Sequence, residues 1–252
     1  MATVREIERY FDEKVPFSLK MDFDNVGLLC GFPEKEVRKV LLALDVTREV
    51  IDEAAELGAE LIVTHHPVIF HPLKRVCSDD LEGGRVVAML QKGLSAICLH
   101  TNLDIVEGGV NDALAEALGL AVCGALECGR VAELPGEESM SSFCRRAESA
   151  LRVSGLRFYD SGKPVKRVAL CGGSGGDLVY EAAALGCDTV LTGEIKYNQW
   201  LDGKEQGLNL IDADHFCTEN VVIPVLDKLL RSAYPELEII VSGRHAQTLQ
   251  GI

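Results

Sequence analysis

Hydrophobic positions along this chain follow two spacings in turn. Short apolar runs have the length of buried strands: Val40–Leu44, Leu61–Val63 and Ala96–Leu99 early on, then Val168–Cys171, Thr189–Leu191 and Leu208–Ala213. Between them, Arg48–Leu57 and Leu178–Leu185 place apolar residues three and four apart, which predicts helices. Helix-like runs also cover Val110–Gly119 and Asn220–Leu230, and Thr3-Val-Arg-Glu6 has the form of a capping box opening an N-terminal helix. Alternation of strand and helix implies parallel strands joined by right-handed crossovers. The expected fold class is therefore α/β, with mostly parallel strands flanked by helices.

The pattern repeats. Laying residues 37–66 over 165–194 needs no gap: Val37-Arg-Lys-Val-Leu-Leu42 meets Val165-Lys-Arg-Val-Ala-Leu170, and Glu53-Ala-Ala-Glu-Leu-Gly58 meets Glu181-Ala-Ala-Ala-Leu-Gly186. Nine of the thirty positions are identical, and an ungapped register over that length favours duplication over chance likeness of two βαβ units. A weaker echo joins Gly93–His100 to Gly207–His215, each histidine followed four residues later by a carboxylate, Asp104 or Glu219. Two similar α/β units are expected: a first half over 1–120, a bridge over 121–164 with its own short element near Phe143–Leu151, and a second half over 165–252.

In open parallel sheets, ligands gather beyond the carboxyl ends of the strands. His65 and His66 follow the run Leu61–Val63, His100 ends the next, with Asp104 a turn later, and His215 ends Leu208–Ala213, with Glu219 opening the following helix and Thr218 available to cap it. The repeat sets Gly193-Glu194 where His65-His66 stands. Imidazole and carboxylate are ligand types for zinc, iron, manganese or nickel. Adjacent histidines diverge, so His65 and His66 suit two ions better than one. A carboxylate such as Glu219 can bridge such a pair, and paired cations acidify water enough for hydrolysis near neutral pH. A lone histidine at a strand end is as often structural, so the case rests on four of the six falling there; His71 and His245 have no such context and read as bystanders. His100 suits a supporting role as well as a ligating one.

Composition narrows the classes. The chain is 47% hydrophobic and 25% charged, ordinary for a globular protein, and no apolar run of about 18 residues offers a membrane span. The first residues lack a signal-peptide layout, and nine scattered cysteines without a C-x-x-C pair suit a reducing compartment, so a cytoplasmic location is expected. A net charge of −14 argues against nucleic acid as a partner, though bound cations still allow a phosphorylated metabolite. The stretch Cys171-Gly-Gly-Ser-Gly-Gly-Asp177 joins strand to helix without the lysine of a P-loop, and reads as a tight turn before an anion cradle.

Seven segments together resemble the Nif-three-like family, whose members are often labelled GTP cyclohydrolase I type 2 homologues. They are Asp24-Asn-Val-Gly-Leu28, Val63-Thr-His-His-Pro-Val-Ile-Phe70, His100-Thr-Asn-Leu-Asp104, Gly108-Gly-Val-Asn-Asp112, Cys171-Gly-Gly-Ser-Gly175, Leu191-Thr-Gly-Glu194 and Asp214-His-Phe-Cys-Thr-Glu219. The resemblance implies two divalent ions between the units, one held by His65, Asp104 and Glu219, the other by His66, His215 and Glu219. It also implies a ring-shaped hexamer and a compact form without the inserted domain of longer members. Pro224 departs from a helix expected to begin near Glu219, where it would kink it. Asp24, Asn25, Lys74, Asn102 and Glu194 are candidates for orienting a substrate or water, Glu194 as general base by position. Two readings follow: a metal-dependent hydrolase of a nucleotide or similar small metabolite, or a non-enzymatic metal-binding or partner-binding scaffold.

Overall fold

The computed structural model describes residues 2–249. The chain forms two compact units. The first runs to Val106 and resumes over Ile223–Ala246; the second spans Glu107–Val222 and takes up the chain again from Gln247.

The first unit is built on a five-stranded sheet in the order Glu238–Val241, Lys39–Ala43, Leu61–Thr64, Ser95–Cys98, Gly27–Cys30. The first four strands are parallel, and Gly27–Cys30 closes one edge antiparallel to Ser95–Cys98. Leu61–Thr64 and Ser95–Cys98 are buried along their whole length, as strands covered on both faces must be. Helix Arg48–Leu57 and helix Leu81–Gln91 pack Val50, Ile51 and Met89 onto Leu41, Ile62 and Ala96. At the N-terminus the capping box forms as expected, Thr3 and Glu6 each bonding the other's backbone amide at the start of helix Val4–Lys14.

The second unit carries a six-stranded sheet in the order Ala121–Leu126, Gly129–Glu138, Val165–Cys171, Thr189–Thr192, Asn209–Asp212, Arg157–Tyr159. Its middle trio, from Val165–Cys171 to Asn209–Asp212, is parallel and both flanks are antiparallel. Val168 and Leu170 face a cluster around Phe143 and Leu114, whereas Ala169 faces Val179, Val190 and Leu210. Residues 121–164, expected as a bridge, supply three of these strands and the helix Met140–Leu151, whose fully buried Phe143 sits in the unit's core.

The repeat read from the sequence reappears in the hydrogen bonds. Val40 pairs with Leu61 and Val168 with Thr189, and each ladder continues in step through Ala43 with Thr64 and Cys171 with Thr192. Each first helix ends on a left-handed glycine closed the same way. Ala59 and Gly58 donate to Ala54 and Ala55, and Cys187 and Gly186 donate to Ala182 and Ala183. The two preceding segments differ: Arg48–Leu57 is a full helix, whereas the stretch expected as Leu178–Leu185 is a 3₁₀ turn over Gly176–Leu178 and one α turn over Val179–Ala182. Among the described residues no helix is long and apolar enough to cross a membrane.

Candidate metal centre

In the first unit the parallel strands all end on one edge, and the chemistry stands there. His65 and His66 follow Leu61–Thr64, His100 follows Ser95–Cys98, Asp45 follows Lys39–Ala43, and His245 follows Glu238–Val241. The rings of His65, His66 and His100 have centroids 5.0–5.6 Å apart. Their nitrogens converge, one from each ring, to within 4.8 Å of one another, close enough to share a cation.

Each ring is held from behind. His65 is fully buried, and its Nδ1 lies 2.8 Å from the carbonyl oxygen of Leu99. A carbonyl can only accept, so that nitrogen carries the proton and Nε2 keeps its lone pair. His66 Nδ1 meets Asp45 at 2.8 Å, and His100 Nδ1 meets Asp24 at 2.8 Å. Burial pushes both carboxyls up, but bonds from His100 and Thr101 onto Asp24, and from His245 and His66 onto Asp45, outweigh it and hold both well below the usual range. Both are therefore acceptors, and both histidines present Nε2 outward. His65 Nε2 lies 3.7 Å from Asp104 Oδ1, too long for a hydrogen bond. Two donors each about 2.1 Å from one ion at a roughly tetrahedral angle stand about 3.4–3.7 Å apart.

In the second unit the turn after Val165–Cys171, the turn after Thr189–Thr192 and the helix His215–Glu219 meet at the sheet's corresponding edge. Asp214 caps that helix by accepting from Cys217 N, so the helix begins four residues earlier than expected. Thr218, expected as a cap, instead ties the helix to the glycine turn: its Oγ1 accepts from Gly173 N and donates to the Asp214 carbonyl. One helical turn puts His215 and Glu219 on one face, with His215 Nε2 3.1 Å from Glu219 Oε2. His215 Nδ1 meets Glu194 Oε1 at 2.9 Å, the same arrangement as in the first unit. The next helix starts only at Ile223, after a 3₁₀ turn over Asn220–Val222. Pro224 therefore sits in a first turn, where a missing N–H leaves no bond unmade, and the expected kink does not arise.

The glycine stretch is a turn, as read, and also the wall of this site. Three of its amides are engaged by side chains, Gly172 N by Asn111, Gly173 N by Thr218 and Gly175 N by Thr192. Gly173 has φ +61, and a Cβ on it would lie 2.0 Å from Glu219 Oε1 and 3.0 Å from His215 Nε2. Burial pushes the thiols of Cys98 and Cys217 up to about 11, so they stay neutral and the donor set is imidazole and carboxylate.

The remaining sequence candidates divide. Asp24 holds His100 and Thr101, and Asn25 donates to the Ile69 carbonyl. Asn102 is fully buried and donates to Val15 O at the end of the N-terminal helix, a structural bond. Lys74 is exposed, and exposed His71 packs on Phe70. His245, read as a bystander, bonds Asp45 with Nε2 at 3.0 Å and so braces the carboxylate that orients His66. Asp45 was legible from the strand-end rule, two residues past Lys39–Ala43. His245 was not, because the strand before it was not recognised.

The family model described as Duf34/NIF3 (NGG1p interacting factor 3) matches residues 2–247. A Clostridium perfringens protein named GTP cyclohydrolase 1 type 2 homolog is 38% identical over 250 residues, covering 95% of each chain. A Helicobacter pylori protein named GTP cyclohydrolase 1 type 2 is 30% identical over 233 residues, covering 92% of this chain and 93% of its own. Among solved structures, a hypothetical protein from Staphylococcus aureus superposes with a TM-score of 0.90 at 28% identity, covering 99% of both chains. The reduced form of HcgD from Methanocaldococcus jannaschii gives 0.83 at 27% identity, covering 95% of this chain and 97% of its own.

Proposed function

The chain belongs to the Duf34/NIF3 family, and from that membership we propose that it is a hydrolase working with two divalent cations on a nucleotide or a related small metabolite. One observation carries the proposal. Four imidazoles, His65, His66, His100 and His215, each have Nδ1 against an oxygen acceptor, which turns every Nε2 toward a potential ligand. Histidines that bind metal are oriented in this way, by a carboxylate or carbonyl behind the ring. The glycine turn supports the same reading, since it clears space at Glu219 and His215 that any side chain would fill.

In this proposal His65 and Asp104 hold one cation, His66 and His215 the other, and Glu219 is common to both, with His100 alongside. The donor set suits zinc, iron, manganese or nickel. Such cations, when bound, polarise a substrate oxygen and acidify water. The chain supplies the orientation: Asp45, Asp24 and Glu194 fix ring planes, and buried Leu99 O fixes the tautomer of His65. Glu194 spends one oxygen on His215 and is more than half exposed, so we assign its other oxygen the task of accepting a proton from water. Nine scattered cysteines without a C-x-x-C pair suit a cytoplasmic setting, and a ring of six copies is the proposed assembly, readable as a mass six times that of the chain.

Glu194→Gln separates chemistry from binding. The amide still accepts from His215 Nδ1 but takes no proton, so turnover is expected to fall about 10²–10⁴-fold with bound metal unchanged. Wild-type protein, stripped with chelator and reloaded, is assayed on a panel of nucleotides and phosphoesters alongside the variant. Stoichiometric metal with no turnover anywhere in the panel would assign the non-enzymatic scaffold instead.

A further inference from the structure

The second unit holds a cavity of about 910 Å³ whose wall includes His215 and Glu194, within the size range of small-molecule sites. Arg152, Arg157 and Lys196 stand on the wall of this cavity, in a chain of formal charge −14. Three acids face the same space, Glu194, Asp212 and Asp214. Each acid is engaged. Glu194 accepts from His215 Nδ1, Asp212 is paired with Arg157, and Asp214 accepts from Cys217 N and from the Gln247 side chain. Three cations and three acids leave the wall without net formal charge, and among the described residues Arg152 and Lys196 are the two cations that no acid pairs with.

The backbone supports this reading. Among the described residues, two that are not glycine have positive φ, Arg152 at 55° and Asp214 at 70°, and both line the cavity. Arg152 ends helix Met140–Leu151 in the left-handed conformation that glycine adopts without strain. An arginine there brings a guanidinium to the cavity at a backbone cost that glycine would avoid.

We propose that this cavity binds the phosphate-bearing part of a small anionic metabolite, with Arg152 and Lys196 as its recognition residues. The inference deepens the hydrolase reading by naming the residues that would hold the anionic part of the substrate, and it rests on that reading for the direction in which the substrate lies. A guanidinium fork fits two phosphate oxygens at once, and Lys196 adds a point charge. Val153, Ile195 and Leu249 give the rest of the ligand an apolar surface. With the phosphate so held, the opposite end of the substrate extends toward His215 and Glu194.

Inorganic pyrophosphate is the probe, its binding measured by calorimetry at low ionic strength on the full chain, chelator-stripped and metal-loaded. The variants are Arg152→Gly, Arg152→Gly with Lys196→Gln, and Arg9→Gln as an exposed control. Arg152→Gly is expected to weaken pyrophosphate binding at least fivefold and the double variant at least tenfold, in both metal states. The thermal midpoint of Arg152→Gly should equal or exceed that of wild type, because glycine relieves the strain; a merely structural arginine would lower it. Binding in the double variant equal to that of Arg9→Gln overturns the proposal, as does malonate binding as tightly as pyrophosphate. Metal counted on the same samples keeps the two readings apart. Arginine-dependent binding to protein that takes up no metal would leave the anion site standing and sink the two-cation reading. Unchanged binding with metal fully loaded would do the reverse.

Discussion

Glu219→Gln is expected to lower the divalent metal bound per chain from about two to one or none, and to cut hydrolytic turnover roughly a thousandfold. A carboxylate offers two anionic oxygens, and Gln offers one neutral carbonyl oxygen, so the amide cannot serve two cations. The sign of the stability change makes the prediction sharper. Glu219 is 4% exposed and its Oε2 lies 3.1 Å from His215 Nε2, so a cation that takes both groups as ligands stabilises the folded chain. Added metal should then raise the melting temperature of wild type, since a ligand that binds only the folded state stabilises it, and leave the variant nearly unmoved. Elemental analysis and thermal melts with and without chelator read both effects. A variant that keeps two ions and full turnover would remove Glu219 from the site.

Gly173→Ala acts on the same carboxylate from the other side. The new Cβ would lie 2.0 Å from Glu219 Oε1, so one of them must move. The turn cannot yield easily. Gly173 N donates to Thr218 Oγ1, and its carbonyl accepts from Thr192 Oγ1 and Gly193 N. The carboxylate is displaced instead, and alanine at φ +61 adds strain of about 1–2 kcal/mol to an overpacking cost of about 1–3 kcal/mol. A loss of about 2–5 kcal/mol in urea unfolding is expected, with metal uptake falling together with it. Gly136→Ala is the control, because nothing lies within 4 Å of a Cβ there. Wild-type stability and metal uptake in Gly173→Ala would show that the turn does not shape the site.

Three parallel strands of each unit were legible because they are nearly continuous apolar runs buried on both faces, whereas the fourth of the first unit, Glu238–Val241, is partly exposed and was not. The ladder of Val40 with Leu61 and its counterpart Val168 with Thr189 follow directly from the ungapped repeat. What else escaped reading carries glycine used for close approach. Helix Leu81–Gln91 opens with Gly83-Gly84, a pair that looks like a loop; a Cβ on Gly83 would lie 2.9 Å from the Asp80 carboxylate and 3.0 Å from Cys77 N. Helix Tyr197–Glu205 contains Gly203, where a Cβ would strike Leu210 at 2.7 Å. The hairpin Ala121–Leu126 and Gly129–Glu138 lacks clean alternation, since its outer strand is mostly exposed and its inner strand contains Pro135 and Gly136.

Site residues divide along the same line. His65, His66, His100 and His215 were legible as candidates because strand ends can be placed once the strands are known, and Glu194 because the repeat sets it opposite His66. The groups that brace or extend the site were not, and the reason differs for each. Asp45 obeys the rule, two residues past Lys39–Ala43, but no histidine marks its position in the sequence. His245 depended on the unread strand Glu238–Val241. Arg152 and Arg157 belong to the stretch taken as a bridge, where no pattern marks which face lines a cavity.

The central proposal is that His65, His66, Asp104, His215 and Glu219 are the ligands of two divalent cations. Crystals of the chain loaded with zinc or manganese, measured at that metal's absorption edge, test it directly. The account predicts two anomalous peaks per chain about 3.5–4 Å apart, one beside Nε2 of His65, the other beside Nε2 of His66 and His215, with Glu219 touching both. A single peak, or peaks that Glu219 does not reach, would contradict it.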